Sequence, residues 1–179
     1  NFGYATAIHS NTTLVGAPYE SSPGASNSGS AHVFERSGTN WTHQARLIAP
    51  APVKDDYFGS AVALQSNTAV VSAVSDDTAV GSDAGSVHVY SRSGTNWTRQ
   101  TLVTAHDAKA RDFFGRSLAL TGDLLVVGAD GTDELNPVTG DPESAAGSAY
   151  LFLLQLVPAR DFPTWAAFYD LSGTNALTG

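Results

Sequence analysis

Several residue types are missing from this sequence of 179 residues. Cysteine and methionine are absent, and lysine occurs only at Lys54 and Lys109. Without cysteine there is no disulfide bond, no thiolate metal ligand and no cysteine nucleophile. The formal net charge is −8. Because an acidic chain without a basic cluster repels phosphate backbones, we expect no nucleic-acid partner.

Long apolar runs are also missing. A helix that crosses a bilayer needs about 20 mainly apolar residues. No segment approaches that length, so we predict no membrane span in this chain. The first residues, Asn1-Phe2-Gly3, already belong to a repeat, and we interpret the chain as a piece of a longer protein. The absence of a signal peptide therefore carries no information.

The chain is organised by a repeat with a period of 56 residues. The heptapeptide Arg-Ser-Gly-Thr-Asn-Trp-Thr at residues 36–42 recurs unchanged at residues 92–98. Phe-Gly pairs begin at residues 2, 58 and 114, with the same spacing. Regular self-similarity of this kind is typical of stacked structural repeats, and it sets the interpretation of the fold.

Each repeat is predicted to contain four short strands. In the second repeat these are residues 60–64, 68–73, 86–90 and 97–104, which are rich in small and β-branched residues and separated by turn formers. The third strand of every repeat is apolar or aromatic on both faces, which indicates a sheet packed on both sides. Four strands in a repeat of about 50 residues are typical of propeller blades.

The predicted fold is therefore all-β, with blades at residues 1–56, 57–112 and 113–157. The third blade is predicted to be degenerate. Its long loop is six residues longer than that of the second repeat, and its fourth strand and tryptophan are missing. We interpret residues 158–179 as a tail or linker, with a short amphipathic helix at residues 162–171.

These motifs resemble the FG-GAP repeats of integrin α-subunit propellers and of related bacterial surface proteins. The resemblance is carried by the three Phe-Gly pairs, by Val15-Gly16-Ala17-Pro18 and its two variants, and by the aspartate that precedes two of the Phe-Gly turns. It covers about residues 1–155 and implies a β-propeller, usually of seven blades. Three blades cannot close such a ring, so we expect a partial propeller or one completed by oligomerisation.

The resemblance does not carry over the calcium sites of the integrin family. Those sites need an Asp-x-Asp-x-Asp-Gly loop between the first and second strands. The three corresponding positions hold only Ser10-Asn11, Ser66-Asn67 and Gly122-Asp123, which we interpret as plain hairpin turns. No cofactor is therefore certain.

Acidic loops are nevertheless candidates for calcium binding, because this ion takes six to eight oxygen ligands. The second-repeat loop holds Asp76, Asp77 and Asp83. The candidate metal ligands in the third-repeat loop are Asp130, Asp133, Glu134 and Asp141. The alternative is that these loops are only a solvated acidic surface. Asp56 and Asp112, before the Phe-Gly turns, are interpreted as turn caps.

Three Asn-x-Thr sequons, at Asn11, Asn40 and Asn96, are candidate glycosylation sites because all lie in predicted turns. They can equally be bare turn formers in a bacterial protein. Trp41 and Trp97 start strands and are interpreted as packing residues, with sugar stacking as the alternative.

Nothing in the sequence indicates catalysis. His32 and His88 occupy one repeat position that is Tyr150 in the third repeat, which favours a packed, hydrogen-bonded role. No Gly-x-Ser-x-Gly elbow is present, and no Ser/His/Asp set is evident from spacing. We therefore predict that the protein is not an enzyme.

The expected function is an extracellular or cell-surface structural and adhesion module. Because unfinished blade edges invite pairing with another chain, we expect self-association into a filament or ring, or contacts with other surface proteins and glycans. A glycan- or protein-binding, lectin-like propeller is the first alternative. A non-catalytic part of a secreted hydrolase is the second.

Overall fold

The computed structural model describes residues 1–131, 134–135, 142–143, 147–154 and 168–170. Within these residues the protein is all-β and contains no helix. It forms three four-stranded antiparallel sheets and one two-stranded hairpin. The predicted fold class is confirmed, and the three sheets do not close into a ring.

The strands follow the repeat. Sheet 1 consists of β1 (Thr6–His9), β2 (Thr12–Ala17), β3 (Ser30–Ser37) and β4 (Asn40–Leu47). Sheet 2 consists of β5 (Phe58–Gln65), β6 (Thr68–Ala73), β7 (Ser86–Ser93) and β8 (Asn96–Val103). The third repeat contains β9 (Ser117–Thr121), β10 (Leu124–Ala129), β11 (Glu134–Leu135), β12 (Pro142–Glu143), β13 (Ser148–Leu153) and β14 (Phe168–Asp170). Of these, β9, β10, β13 and β14 form sheet 3, and β11 pairs with β12.

The third sheet has a fourth strand, which the sequence was not expected to supply. β14 pairs antiparallel with β13, with Phe168 opposite Phe152 and Asp170 opposite Tyr150. The predicted helix at 162–171 is therefore wrong over residues 168–170. Phe-Tyr is a good strand sequence, and β13 offers it an open row of backbone donors and acceptors. The rest of the predicted tail, residues 158–167 and 171–179, lies outside the described residues.

The three sheets are stacked, with sheet 2 in the middle. One apolar cluster, which includes Leu14, Val33, Val71 and Tyr90, lies between sheets 1 and 2. A second cluster lies between sheets 2 and 3. In β7, residues 86–90 are all buried, as the two-faced apolar pattern predicts. In β3 and β13 the same positions alternate in burial or are only partly buried, because each has a neighbouring sheet on one face only.

A short ladder of backbone hydrogen bonds joins each sheet to the next. The amides of Asp55, Tyr57 and Phe58 donate to the carbonyls of three consecutive residues before β3, at 2.9, 3.1 and 3.0 Å. These acceptors are Ser26, Asn27 and Ser28. The ladder recurs 56 residues later, where the amides of Arg111, Phe113 and Phe114 donate to Ser82, Asp83 and Ala84. The segment before each Phe-Gly pair is thereby fixed to the preceding repeat.

Glycine allows this close approach of two backbones. Gly59 has a φ of +94°, and a Cβ atom on it would overlap the carbonyl oxygen of Ser30 in sheet 1. A Cβ atom on Gly16 would in turn overlap the carbonyl oxygen of Gly59. The two glycines that recur in the repeat motif are therefore contact partners across a junction between successive sheets, and a side chain at either position would push the sheets apart.

This contact makes a direct prediction. We expect Gly59→Ala to destabilise the protein by about 3 kcal/mol or more, because a strained φ and a backbone overlap add. Gly3 is the repeat equivalent of Gly59, with a φ of +88° but no atom within 4 Å of an added Cβ. Gly3→Ala is the matched control and should cost only the strain, about 1–2 kcal/mol.

Chemical denaturation at low protein concentration measures both variants. Equal losses of unfolding free energy in Gly59→Ala and Gly3→Ala would contradict the inter-sheet role of Gly59.

Candidate functional site

The outer face of sheet 1, which we call the open face, repeats a surface that is buried elsewhere in the protein. The phenylalanine of each Phe-Gly pair packs edge-on against two rings of the third strand. Phe58 and Phe114 are 0% exposed because another sheet covers them, whereas Phe2 is 60% exposed. Ile8, at 67%, is also exposed on this sheet. The open face is therefore apolar and uncovered.

The two tryptophans show the same relation. Trp97 packs against the cluster between sheets 1 and 2, and its indole N–H donates to Gln44 Oε1 of sheet 1 at 2.8 Å. Trp41 is the repeat equivalent of Trp97 and is 46% exposed. The packing role predicted for the tryptophans is thus realised at Trp97, while Trp41 presents the same side chain without a neighbouring sheet.

A polar network also lies on sheet 1. His32 Nε2 lies 2.9 Å from Glu20 Oε2, and the Ser30 hydroxyl donates to the same oxygen at 2.7 Å. Arg46 pairs with the other oxygen of Glu20 at 2.6 Å. Nδ1 of His32 lies 3.1 Å from His43 Nε2. The pKa of Glu20 is lowered, since hydrogen bonds from His32 and Ser30 and the charge of Arg46 outweigh the opposing effect of burial, which is the largest single cause.

The second repeat contains the counterpart of this network. The Ser86 hydroxyl donates to Asp76 Oδ2, and Ser86 Oγ lies 3.4 Å from His88 Nε2. An acid, a serine and a histidine thus recur together 56 residues apart. Their order is not that of a hydrolase triad, because the serine proton goes to the carboxylate instead of the imidazole. Both serines are also 0% exposed, so neither can attack a substrate.

The sequence reasoning missed this grouping. Ser30 and Ser86 precede the two histidines by two positions, and Glu20 and Asp76 share a repeat position. The signal was therefore available in the 56-residue register, but the change from Glu to Asp and the loop between acid and serine hid it.

A cavity of about 530 Å³ lies between sheets 1 and 2 and the loops that follow them. Asp56, Asp76, Asp77, His88 and Arg99 supply its charged or titratable walls. His88 is 4% exposed, and its Nδ1 has no hydrogen-bond partner. Burial, aided by the charge of Arg99, lowers the pKa of His88 to about 4, so the ring is neutral at pH 7.

Asp56 has a structural role at the mouth of this junction. It is 3% exposed and its Oδ2 accepts from the Val53 amide at 2.9 Å. Asp112 accepts from the Lys109 amide at 2.6 Å in the same way. Both aspartates therefore cap turns. Burial raises the pKa of Asp56 to about 6, with a smaller contribution from three neighbouring carboxylates, Asp55, Asp76 and Asp77.

The candidate metal ligands of the third repeat are only partly visible. Asp130 is exposed and pairs with Arg116 Nε at 3.1 Å. The backbone of Glu134 lies in β11, but its side chain is outside the described part of the chain, as are Asp133 and Asp141. In the part of the chain that the structure describes, no three histidine or carboxylate side chains converge as metal ligands.

The sequons lie at hairpin tips. Asn40 and Asn96 start β4 and β8 and are exposed. Asn11 is exposed too, and its Oδ1 accepts from the Arg36 guanidinium at 2.9 and 3.1 Å. Its amide nitrogen is not used in that contact.

Four-stranded antiparallel sheets, stacked face to face and joined at Phe-Gly turns, define a protein built of β-propeller blades. The sequence profile of the FG-GAP repeat matches residues 1–34, 41–90 and 97–152. The chain therefore belongs to the FG-GAP repeat family, whose members are often extracellular or adhesion-related and whose repeats are typically non-catalytic. No curated protein is significantly similar to it. No helix of the described residues has the length and apolar character to cross a membrane.

The buried carboxyl of Asp56 predicts a specific pH dependence. Its pKa is about 6 in the folded protein against an ordinary 3.8, so the folded state binds the proton more tightly. Its contribution to stability therefore rises as the pH falls from 6 towards 4, and the ionised group costs about 1–3 kcal/mol at pH 7. Asp56→Asn keeps an acceptor for the Val53 amide and removes the charge. We expect it to stabilise the protein at pH 7 and to have little effect below pH 4.

Denaturation of wild type and variant between pH 3.5 and 8 checks this expectation. His88 acts in the opposite direction, since its lowered pKa means stability is lost as the pH falls from 6.5 through 4. The two effects offset each other in the wild type, so Asp56→Asn should uncover a steeper loss below pH 6.5. A variant less stable than wild type at pH 7 would contradict the assignment.

Proposed function

We propose that this protein is an extracellular or cell-surface structural and adhesion module that joins to a further blade of its own kind through the open face of sheet 1. The observation that carries the proposal is the correspondence between the open face and the buried face of sheet 2. Phe2, Gly3 and Trp41 stand where Phe58, Gly59 and Trp97 contact a neighbouring sheet. A surface built for blade packing is thus exposed.

The other end of the stack offers a matching surface. Val126 and Leu151 of sheet 3 stand at the repeat positions of Leu14 and Val33, which are 0% exposed beneath sheet 2. Both are partly exposed in sheet 3. The two ends are therefore complementary to each other, and contact between them in two copies is head-to-tail. Such a contact gives a ring if the rotation closes and a filament if it does not.

Head-to-tail association makes a testable prediction. Light scattering should give a particle heavier than one chain, growing with concentration in the micromolar range. Gly3→Ala should weaken this association at least 10-fold, because its Cβ would obstruct the incoming backbone as an added Cβ does at Gly59. Gly38→Ala, at a hairpin tip with a φ of +61° and no atom near the added Cβ, is the matched control.

A monomer at all concentrations would contradict self-association. Dissociation on adding a calcium chelator would instead support the proposal, carried over from the sequence, that Asp130, Asp133, Glu134 and Asp141 bind calcium at contacts between chains. Survival of the assembly under chelation would support packing of the sheet faces alone.

A lectin-like or protein-binding propeller is the alternative. It is favoured by an exposed row of tyrosines, in which the ring of Tyr19 lies 6.0 Å from Tyr4 and 5.3 Å from Tyr57. Tyr4 and Tyr19 are 53% and 45% exposed, and aromatic faces of this kind stack on sugars. A glycan panel that quenches intrinsic fluorescence in wild type but not in Tyr19→Ala would support this alternative. A role as the non-catalytic part of a secreted hydrolase has no such supporting observation.

In a secretory host we propose that Asn40 and Asn96 carry glycans, and Asn11 as a third acceptor. Asn40→Gln and Asn96→Gln should each lower the mass of the secreted protein by one glycan. Equal masses for wild type and both variants would contradict the assignment.

A further inference from the structure

The cavity between sheets 1 and 2 is enclosed by this chain alone and is used by neither the open face nor the blade contacts. Its walls combine short apolar side chains, such as Ala49, Ala105 and Leu102, with a set of polar groups. At about 530 Å³ it is large enough for a small organic ligand or for one long side chain of another protein.

The hydrogen bonds around His88 fix what its free nitrogen offers. The Ser86 hydroxyl donates its proton to Asp76, so Ser86 Oγ can only accept from His88 Nε2–H. Nδ1 of the neutral ring therefore carries a lone pair, and this buried acceptor has no donor. A buried polar atom without a partner costs free energy, which a ligand that donates to it would recover.

The position of Nδ1 follows from the first repeat. There Nδ1 of His32 contacts His43, and Arg99 takes the place of His43 in the second repeat. Arg99 lines the cavity together with His88. Nδ1 of His88 therefore faces the side of the cavity on which Arg99 lies.

The charged groups of the cavity are mostly acidic. Three carboxylates, those of Asp56, Asp76 and Asp77, face one guanidinium, that of Arg99, which is exposed at the rim. With His88 neutral, the cavity carries an excess of negative charge and of hydrogen-bond acceptors. Since the described residues hold no converging set of three metal ligands, the chemistry favours an organic cation over a metal ion.

We propose that this cavity binds a primary ammonium group on a short alkyl chain. An ammonium group has three donors and no acceptor, which suits a cavity with the carboxylate of Asp56 and the lone pair of His88. The alkyl chain lies against Ala49, Ala105 and Leu102. The ammonium can come from a free small amine or from a lysine side chain of another protein.

Butylammonium is the direct probe, and 1-butanol is its neutral counterpart. Titration of the isotope-labelled wild-type protein at pH 7.5, followed by NMR, should show saturable shifts at residues around the cavity with butylammonium. It should also move the imidazole Nδ1 resonance of His88. Binding of 1-butanol should be at least 10-fold weaker. Equal affinity for both, or no saturable shift with butylammonium, would overturn the proposal.

A pair of repeat-equivalent variants separates the cavity from general charge effects. Asp56→Asn keeps the turn cap and should weaken butylammonium binding at least 10-fold. Asp112→Asn makes the same change at the next junction, outside the cavity lining, and should leave affinity within about 2-fold of wild type. Equal losses in the two variants would also overturn the proposal. Both changes keep an acceptor for the capped amide, so the variants are expected to fold.

A comparison of ligands distinguishes the two sources of the ammonium group. Nα-acetyl-lysine amide that binds at least as tightly as butylammonium would support a lysine side chain as the natural occupant. Much weaker binding of that compound would support a free amine. The cavity lies within one chain, so failure of self-association would not remove it, and the two proposals fail separately.

Discussion

The close approach of two backbones at each junction is the constraint on which the rest of the structure depends. The segment that ends in Phe58-Gly59 lies against sheet 1 so tightly that neither Gly16 nor Gly59 can carry a side chain. Hydrogen bonds from Tyr57 and Phe58 to the segment before β3 fix its position along the chain. Because the contact is made by backbone atoms, it tolerates wide changes in the side chains around it. This explains why short glycine-containing motifs persist while the loops vary.

The same constraint generates both surfaces of interest. Since each Phe-Gly turn must reach the preceding sheet, a stack of three sheets has one end where that turn, Phe2-Gly3, reaches nothing in this chain. Away from the tight backbone contact the sheets separate, and the cavity beside Asp56 and His88 occupies the space between them. Two buried titratable groups are thereby held in forms that water would not favour, a neutral histidine and a carboxyl with a raised pKa.

Much of this fold could be predicted from the sequence because the repeat is written in it three times. The 56-residue register locates the sheets, the hairpins at Ser66-Asn67 and residues 92–96, and the two capping aspartates. β14 could not be predicted, because three residues give too short a pattern and its partner β13 lies far away in sequence. The groupings around His32 and His88 and the cavity depend on loop positions that spacing alone does not fix. Sequence periodicity is a good guide to regular strands and a poor one to the irregular chain between them.

Hydrogen exchange at the amides of Tyr57, Phe58, Phe113 and Phe114 tests the central claim most directly. These amides donate across the junctions and belong to no ladder within a sheet, apart from Phe58 at the start of β5. If the junction contacts hold the stack together, they exchange as slowly as the central strand amides of Val70 and Val89 and are released only by global unfolding. If they exchange as fast as the hairpin-tip amides of Gly38 and Gly94, the sheets are held by side-chain packing alone, which contradicts a stack that depends on its backbone contacts.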